Sequence, residues 1–111
     1  MEININWNKP YIDKEEVFSL TADSINTFYT EANDFDKSNL FFVLLNSFNR
    51  MEEEGNNKEA AFLAFNIAYY LFILLTPPAS EDLALYYINK AIQLDKEELY
   101  FTWKTLIEKG N

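Results

Sequence analysis

The chain has no cysteine and no histidine, only two glycines and three prolines, and half as many basic as acidic side chains. The missing thiols exclude disulfides, cysteine nucleophiles and Cys-based zinc sites. The missing imidazoles remove the side chain that most often serves as a general base near neutral pH. Gly55 and Gly110 stand far apart, so no Gly-rich phosphate loop can form. So few breakers favour long helices over many short strands joined by turns. Nine Lys and Arg against eighteen Asp and Glu give a net charge of −9. Such a surface repels phosphate backbones and anionic lipid, so neither nucleic acid nor a membrane surface is an expected partner. A basic protein is the natural complement. The N-terminus lacks the basic and apolar regions of a secretory signal, which leads us to expect a cytoplasmic protein.

Apolar and aromatic bulk is abundant. Ten Phe, seven Tyr and two Trp among 111 residues can fill the core of one domain without a disulfide or metal staple. The central stretch, residues 60–75, has Asn66 as its only strongly polar side chain. A helix that is apolar all round is buried on every side. At 16 residues it would be about 24 Å long, short of a hydrocarbon core of about 30 Å. Pro77 and Pro78 stop it and no basic cluster flanks it, so the sequence predicts the central helix of a bundle rather than a membrane span. Asn66 then needs a buried partner, for which Tyr69 and Tyr70 are the nearest candidates.

Residues 1–11 alternate Ile3, Ile5 and Trp7 with asparagines. Period-two alternation reads as an extended arm with one sticky face. Such an arm can plug a helix groove with Trp7, or pair with another chain in a homodimer. Five helices are predicted near 13–33, 36–54, 57–76, 80–94 and 96–109. Asp13 with Glu16, and Asp95 with Glu98, have capping-box spacing, each flanked by staple residues. Asp36, Asn56 or Asn57, and Thr76 or Ser80 are the cap candidates for the others. The apolar stripes expected are Phe18, Ala22, Ile25, Phe28 or Tyr29, and Ala32; Phe41, Leu44, Leu45, Phe48 and Met51 or Glu52; Leu83, Ala84, Tyr87, Ile88, Ala91 and Ile92; and Leu99, Trp103, Leu106 and Ile107. The fold class is all-α, an antiparallel five-helix bundle or a stack of helical hairpins.

The segment Ser80 to Asp95 resembles the second helix of a tetratricopeptide (TPR) repeat. Ala84, Ile88 and Ala91 occupy the small–large–small positions through which that family packs two helices closely. The family's proline after the aspartate is replaced by Lys96, and the glycine of its first helix is absent at Leu71-Phe72. A competing match places Ala61, Phe65 and Ala68 at the same spacing, 23 residues away rather than the family's 34. The resemblance covers about a third of the chain. It implies a right-handed stack of helical hairpins presenting a groove to another protein, with the first helix, the arm or a second subunit as a cap.

Two groups of residues are candidates for such contacts. Tyr86, Tyr87, Tyr100 and Phe101 form adjacent aromatic pairs, and two neighbours on an amphipathic helix cannot both face the core. Glu52, Glu53 and Glu54 sit at a helix C-terminus, where negative charge opposes the macrodipole. They lack the alternating spacing and glycine of a calcium loop and read as a solvated end or an acidic knob for a basic partner. Trp7 joins them as the arm's anchor. No cofactor or metal is expected, and no carboxylate pair shows the apolar setting that would tune it for acid–base chemistry. The expected function is therefore a non-catalytic protein–protein interaction module. The alternative is a small acidic immunity or inhibitor protein that neutralises a basic toxin or nuclease.

Overall fold

The computed structural model describes residues 1–110. The molecule is all-helical, with no strand among the described residues. A short 3₁₀ segment, Lys14–Ser19, precedes α1 (Ala22–Glu31), α2 (Asp34–Glu53) and α3 (Asn57–Tyr69). The last turn of α3 widens into a π-helix, Tyr70–Leu75, followed by α4 (Ser80–Leu94) and α5 (Glu98–Lys109).

The centre is the apolar stretch. Ala60, Ala61, Leu63, Ala64, Ile67 and Ala68 of α3 are all buried, and the π turn buries Tyr70, Leu71 and Phe72 in succession. The alanines let neighbouring backbones come close. The most extensive interface is α3 against α4, whose Ala84, Ile88 and Ala91 are fully buried, followed by α3 against α2. Helix α5 packs mainly on α4. Lys58 at the start of α3 faces Asp95 just past the end of α4, so these two helices run antiparallel. By length and composition Asn57–Leu75 is 19 residues and apolar enough to cross a membrane, and 61% of its most apolar stretch is buried inside the fold. Length therefore does not distinguish this helix from a span; its packing against α2 and α4 is what marks it as a core helix.

Several helix boundaries differ from the sequence reading. The helix expected over 13–33 is two pieces, because Leu20 is extended and points into the core beside Val17. Asp13 makes no capping hydrogen bond and pairs instead with Lys9. The helix proper starts after Thr21, which forms a reciprocal box with Ser24: Ser24 N donates to Thr21 Oγ1 (3.1 Å) and Thr21 N donates to Ser24 Oγ (3.0 Å). Phe18, expected on the inward stripe, is thereby turned outward and rests against Phe62 with ring centroids 5.2 Å apart. Asn33 rather than Asp36 caps α2, its Oδ1 accepting from Asp36 N at 2.8 Å. Asn56 precedes α3 without a side-chain cap bond, and neither Thr76 nor Ser80 caps α4. Ala79 and Thr76 take positive φ values of 64° and 43° to close that turn.

The last helix begins at Glu98 rather than 96, and Asp95 does not cap it. Its inward residues are Tyr100, Trp103 and Ile107, while Leu99 and Leu106 are exposed. The rotation follows the aromatic cluster it completes with α3. Phe65 meets Tyr100 at 5.5 Å and Trp103 at 6.1 Å, and Trp103 also meets Tyr69 at 5.5 Å. Leu83 of α4 is likewise exposed. Asn66 is buried but bonds no tyrosine, since its Nδ2 donates to the Phe62 carbonyl one turn back (2.8 Å). The tyrosines make the long-range bonds instead. Tyr69 OH donates to Asn26 Oδ1 of α1 (2.7 Å) and Tyr70 OH to the Lys37 carbonyl of α2.

Candidate interaction surface

The N-terminal arm lies on its own α2. A turn formed by Asn6 reverses the chain: Asn8 N donates to Asn6 Oδ1 (2.9 Å) and Lys9 N to the Asn6 carbonyl (3.0 Å). Asparagine side chains that bond two residues on promote such turns. Ile3 and Ile5 are half-buried as the alternation predicts, but the reversal turns Trp7 out to solvent. Three contacts hold the returning part of the arm. Asn46 Nδ2 donates to the Pro10 carbonyl (2.9 Å), Ile12 N donates to the buried Ser47 Oγ (2.8 Å), and the Arg50 guanidinium lies 3.8 Å from the Tyr11 ring centroid.

Trp7 does not plug a groove. It stacks on Phe35, with centroids 6.1 Å apart and planes at 22°. Trp7 and Phe35 are each 66% exposed and Phe42 is 61% exposed. Phe35, Asn39, Phe42 and Asn46 follow at helical spacing along one side of α2, opposite the buried Leu40, Leu44 and Phe48. A hollow of about 260 Å³ opens between this stripe and the arm, lined by Ile5, Trp7, Pro10, Phe42 and Val43 with the two asparagines, and carries no charged side chain. Beside the arm, against α1, lies a groove of about 520 Å³ lined by Glu2, Asp23, Glu31 and Asp36 among hydroxyl and apolar residues, with Met1 and its terminal amine but no Lys or Arg in its walls. Phe35 and Asp36 are consecutive, so the apolar ridge and the acidic groove adjoin.

The residues singled out in the sequence do not form one face. Tyr86 is 58% and Phe101 47% exposed, on different helices. Tyr87 is half-buried with its ring edge-on to Phe48 (6.1 Å) and Tyr86 (5.0 Å), and burial, then the neighbouring Tyr86, raises its phenol pKa. Tyr100 is only 3% exposed. Burial, with Asp95 and Glu97 nearby, pushes its phenol up to about 12. Tyr100 is a core residue and Tyr87 packs against the core. Glu52 is not part of a free knob, because its Oε2 lies 2.8 Å from Lys90 Nζ of α4, a bond that raises the lysine's pKa. Glu53 and Glu54 are exposed. Sequence reasoning missed Phe35 and Phe42. The signal was present, since Phe41 and Phe42 are adjacent aromatics just as the tyrosine pairs are. No group of three or more acidic side chains is placed to hold a metal ion among the described residues. No protein-family model, curated protein or solved structure matches this chain.

Proposed function

We propose that this chain is a non-catalytic protein–protein interaction module acting in the cytoplasm, on a scaffold of TPR-like helical hairpins. The observation that carries the reading is a cluster of aromatics each more than 60% exposed: Trp7 and Phe42 line one apolar hollow, and Phe35 stacks on Trp7. Single exposed apolar side chains are ordinary, whereas contiguous ones mark contact surfaces. Aromatic residues are enriched at interface cores. The side chains whose pKa values are displaced are tyrosines buried in the core and lysines bonded to carboxylates, which is a structural pattern rather than a tuned acid–base pair. The experiment is site-specific photo-crosslinking in the source cell. A probe at position 42 should capture a defined protein, and one at exposed Thr102 on α5 should not. No specific product at 42 or elsewhere on the surface would overturn the reading.

A second reading, an acidic inhibitor of a basic toxin or nuclease, draws on the charge. Among the described residues only four of the eighteen carboxylates lie in ion pairs. Charge of one sign speeds encounter with an oppositely charged partner. Here the test is co-expression with each neighbouring gene: growth rescued from a toxic neighbour supports it, and no rescue removes it.

A further inference from the structure

We infer that the Trp7–Phe35–Phe42 face receives a cationic segment of a partner protein that carries an apolar side, and not a second copy of this chain. The inference rests on the interaction-module reading and names the surface and the partner's chemistry. The uncharged hollow of about 260 Å³ suits an apolar or aromatic side chain inserted between Trp7 and Phe42. A carboxylate stands next to its wall: Asn39 Nδ2 donates to Asp36 Oδ1 (3.5 Å), and Asp36 lines the adjoining groove with Glu31 and Glu2. The nearby cations are already engaged: Lys37 with Asp34 and the Tyr29 ring (4.4 Å), and Lys9 with Asp13. A ligand that seats an apolar anchor in the hollow thus places its flanking Lys or Arg beside Asp36 and Glu31, in a groove whose four carboxylates face only the terminal amine of Met1 and no Lys or Arg.

A second copy fits poorly. A two-fold contact presents the same patch from both subunits. It would therefore set Asp34, Asp36 and Glu31 near their own images, in a molecule of net charge −9. Like charges brought together across an interface disfavour the pairing. Phosphate backbones and anionic lipid meet the same repulsion. On α5 the exposed Leu99 borders a groove of about 330 Å³ with Phe18 and Phe62, but there Lys58 stands among the two carboxylates, Asp95 and Glu97, and lies 3.7 Å from Asp95, so this face serves as the control.

Three synthetic amphipathic peptides test this against the full chain. The first carries Lys on one side and Leu and Trp on the other, the second replaces Lys by Glu, and the third keeps Lys but replaces the apolar residues by Ser. The first should bind at least about tenfold tighter than either other peptide, with NMR shifts concentrated at the Trp7 indole, Phe35, Phe42 and Asp36. Raising salt should weaken it. The double variant Trp7→Ala with Phe42→Ser, and separately Glu31→Gln with Asp36→Asn, should each weaken it about tenfold while leaving the melting temperature unchanged, since these side chains are largely exposed or line an open groove. Equal binding of the Ser peptide, shifts confined to α5, or a dimer that Phe42→Ser dissociates would each overturn the inference. A crosslinked cellular partner whose capture survives the Trp7/Phe42 variant would overturn it too while leaving the module reading standing.

Discussion

Ser47 joins the arm to the bundle with a single hydroxyl. It is fully buried, donates to the Val43 carbonyl (2.7 Å) and accepts from Ile12 N. Ser47→Ala strands a buried N–H, and a stranded donor costs about 1–3 kcal/mol. Urea denaturation should show that loss, and a change within error would mean the bond contributes nothing. Tyr100 gives a pH signature. Its folded-state phenol titrates at about 12, above the ordinary 10.0, so folding favours the protonated form. That stabilisation is complete below pH 10 and disappears as pH rises through about 12. Tyr70 and Tyr87, also raised by burial, and Lys90, raised by its bond to Glu52, act in the same direction. Unfolding free energy should therefore fall between about pH 10 and 11.5, and Tyr100→Phe should flatten the slope. An unchanged slope in that variant would show that Tyr100 ionises as freely folded as unfolded.

At the scale of the element, helix starts were harder to read than helix bodies. The spacing of Asp95 and Glu98 matched a capping box, yet Asp95 faces Lys58 at 3.7 Å and the box that forms is Thr21 with Ser24. Local spacing names residues able to cap. Which one does so depends on where the chain must turn to bury Leu20. Thr21→Ala should cost about 1 kcal/mol, while Asp95→Ala, which loses only a long ion pair, should cost at most about 0.5 kcal/mol. Thermal melts of the two variants side by side decide it, and the reverse order would restore the sequence reading. The α3–α4 seam depends on small residues. Ala84→Leu forces extra methyl groups into a fully buried position and should cost about 1–3 kcal/mol or more. If the melting point is unmoved, the seam is looser than described.

Over the whole molecule, charge is the dominant surface property. Carboxylates outnumber cations two to one, and among the described residues most have no ion-pair partner. Self-repulsion of this kind weakens the compact state and is screened by salt. The melting temperature should accordingly rise from low salt to moderate NaCl, and a fall would mean that attraction within the ion pairs outweighs the repulsion. Charge reversal at Glu53 and Glu54 should leave stability intact or improve it. Glu52→Lys should be the costly member of the trio because it sets a cation against Lys90. Calorimetry on the three single variants separates them.

By itself the sequence determined the helical class, the central place of residues 60–75 and the five helical bodies, because periodicity and the absence of breakers act locally along the chain. The inward place of Ala84, Ile88 and Ala91 was legible for the same reason. The burial on every side expected of residues 60–75 is not met, since Ile73 is exposed and Phe62, Phe65 and Tyr69 are half-buried under α5 and the 3₁₀ segment. The stripes already set Phe41 and Tyr87 inward of Phe42 and Tyr86, whereas only the tertiary structure decided that Tyr100 faces in and Phe101 out. Tyr100 is drawn inward by Phe65 and Tyr87 by Phe48, whereas Phe42 faces the open hollow beside the arm. The same applies to Glu52, whose partner Lys90 lies 38 positions along the chain and comes within reach only when α4 docks. An exposed surface is what remains after every element has chosen a face, and that choice is made by contacts distant in sequence.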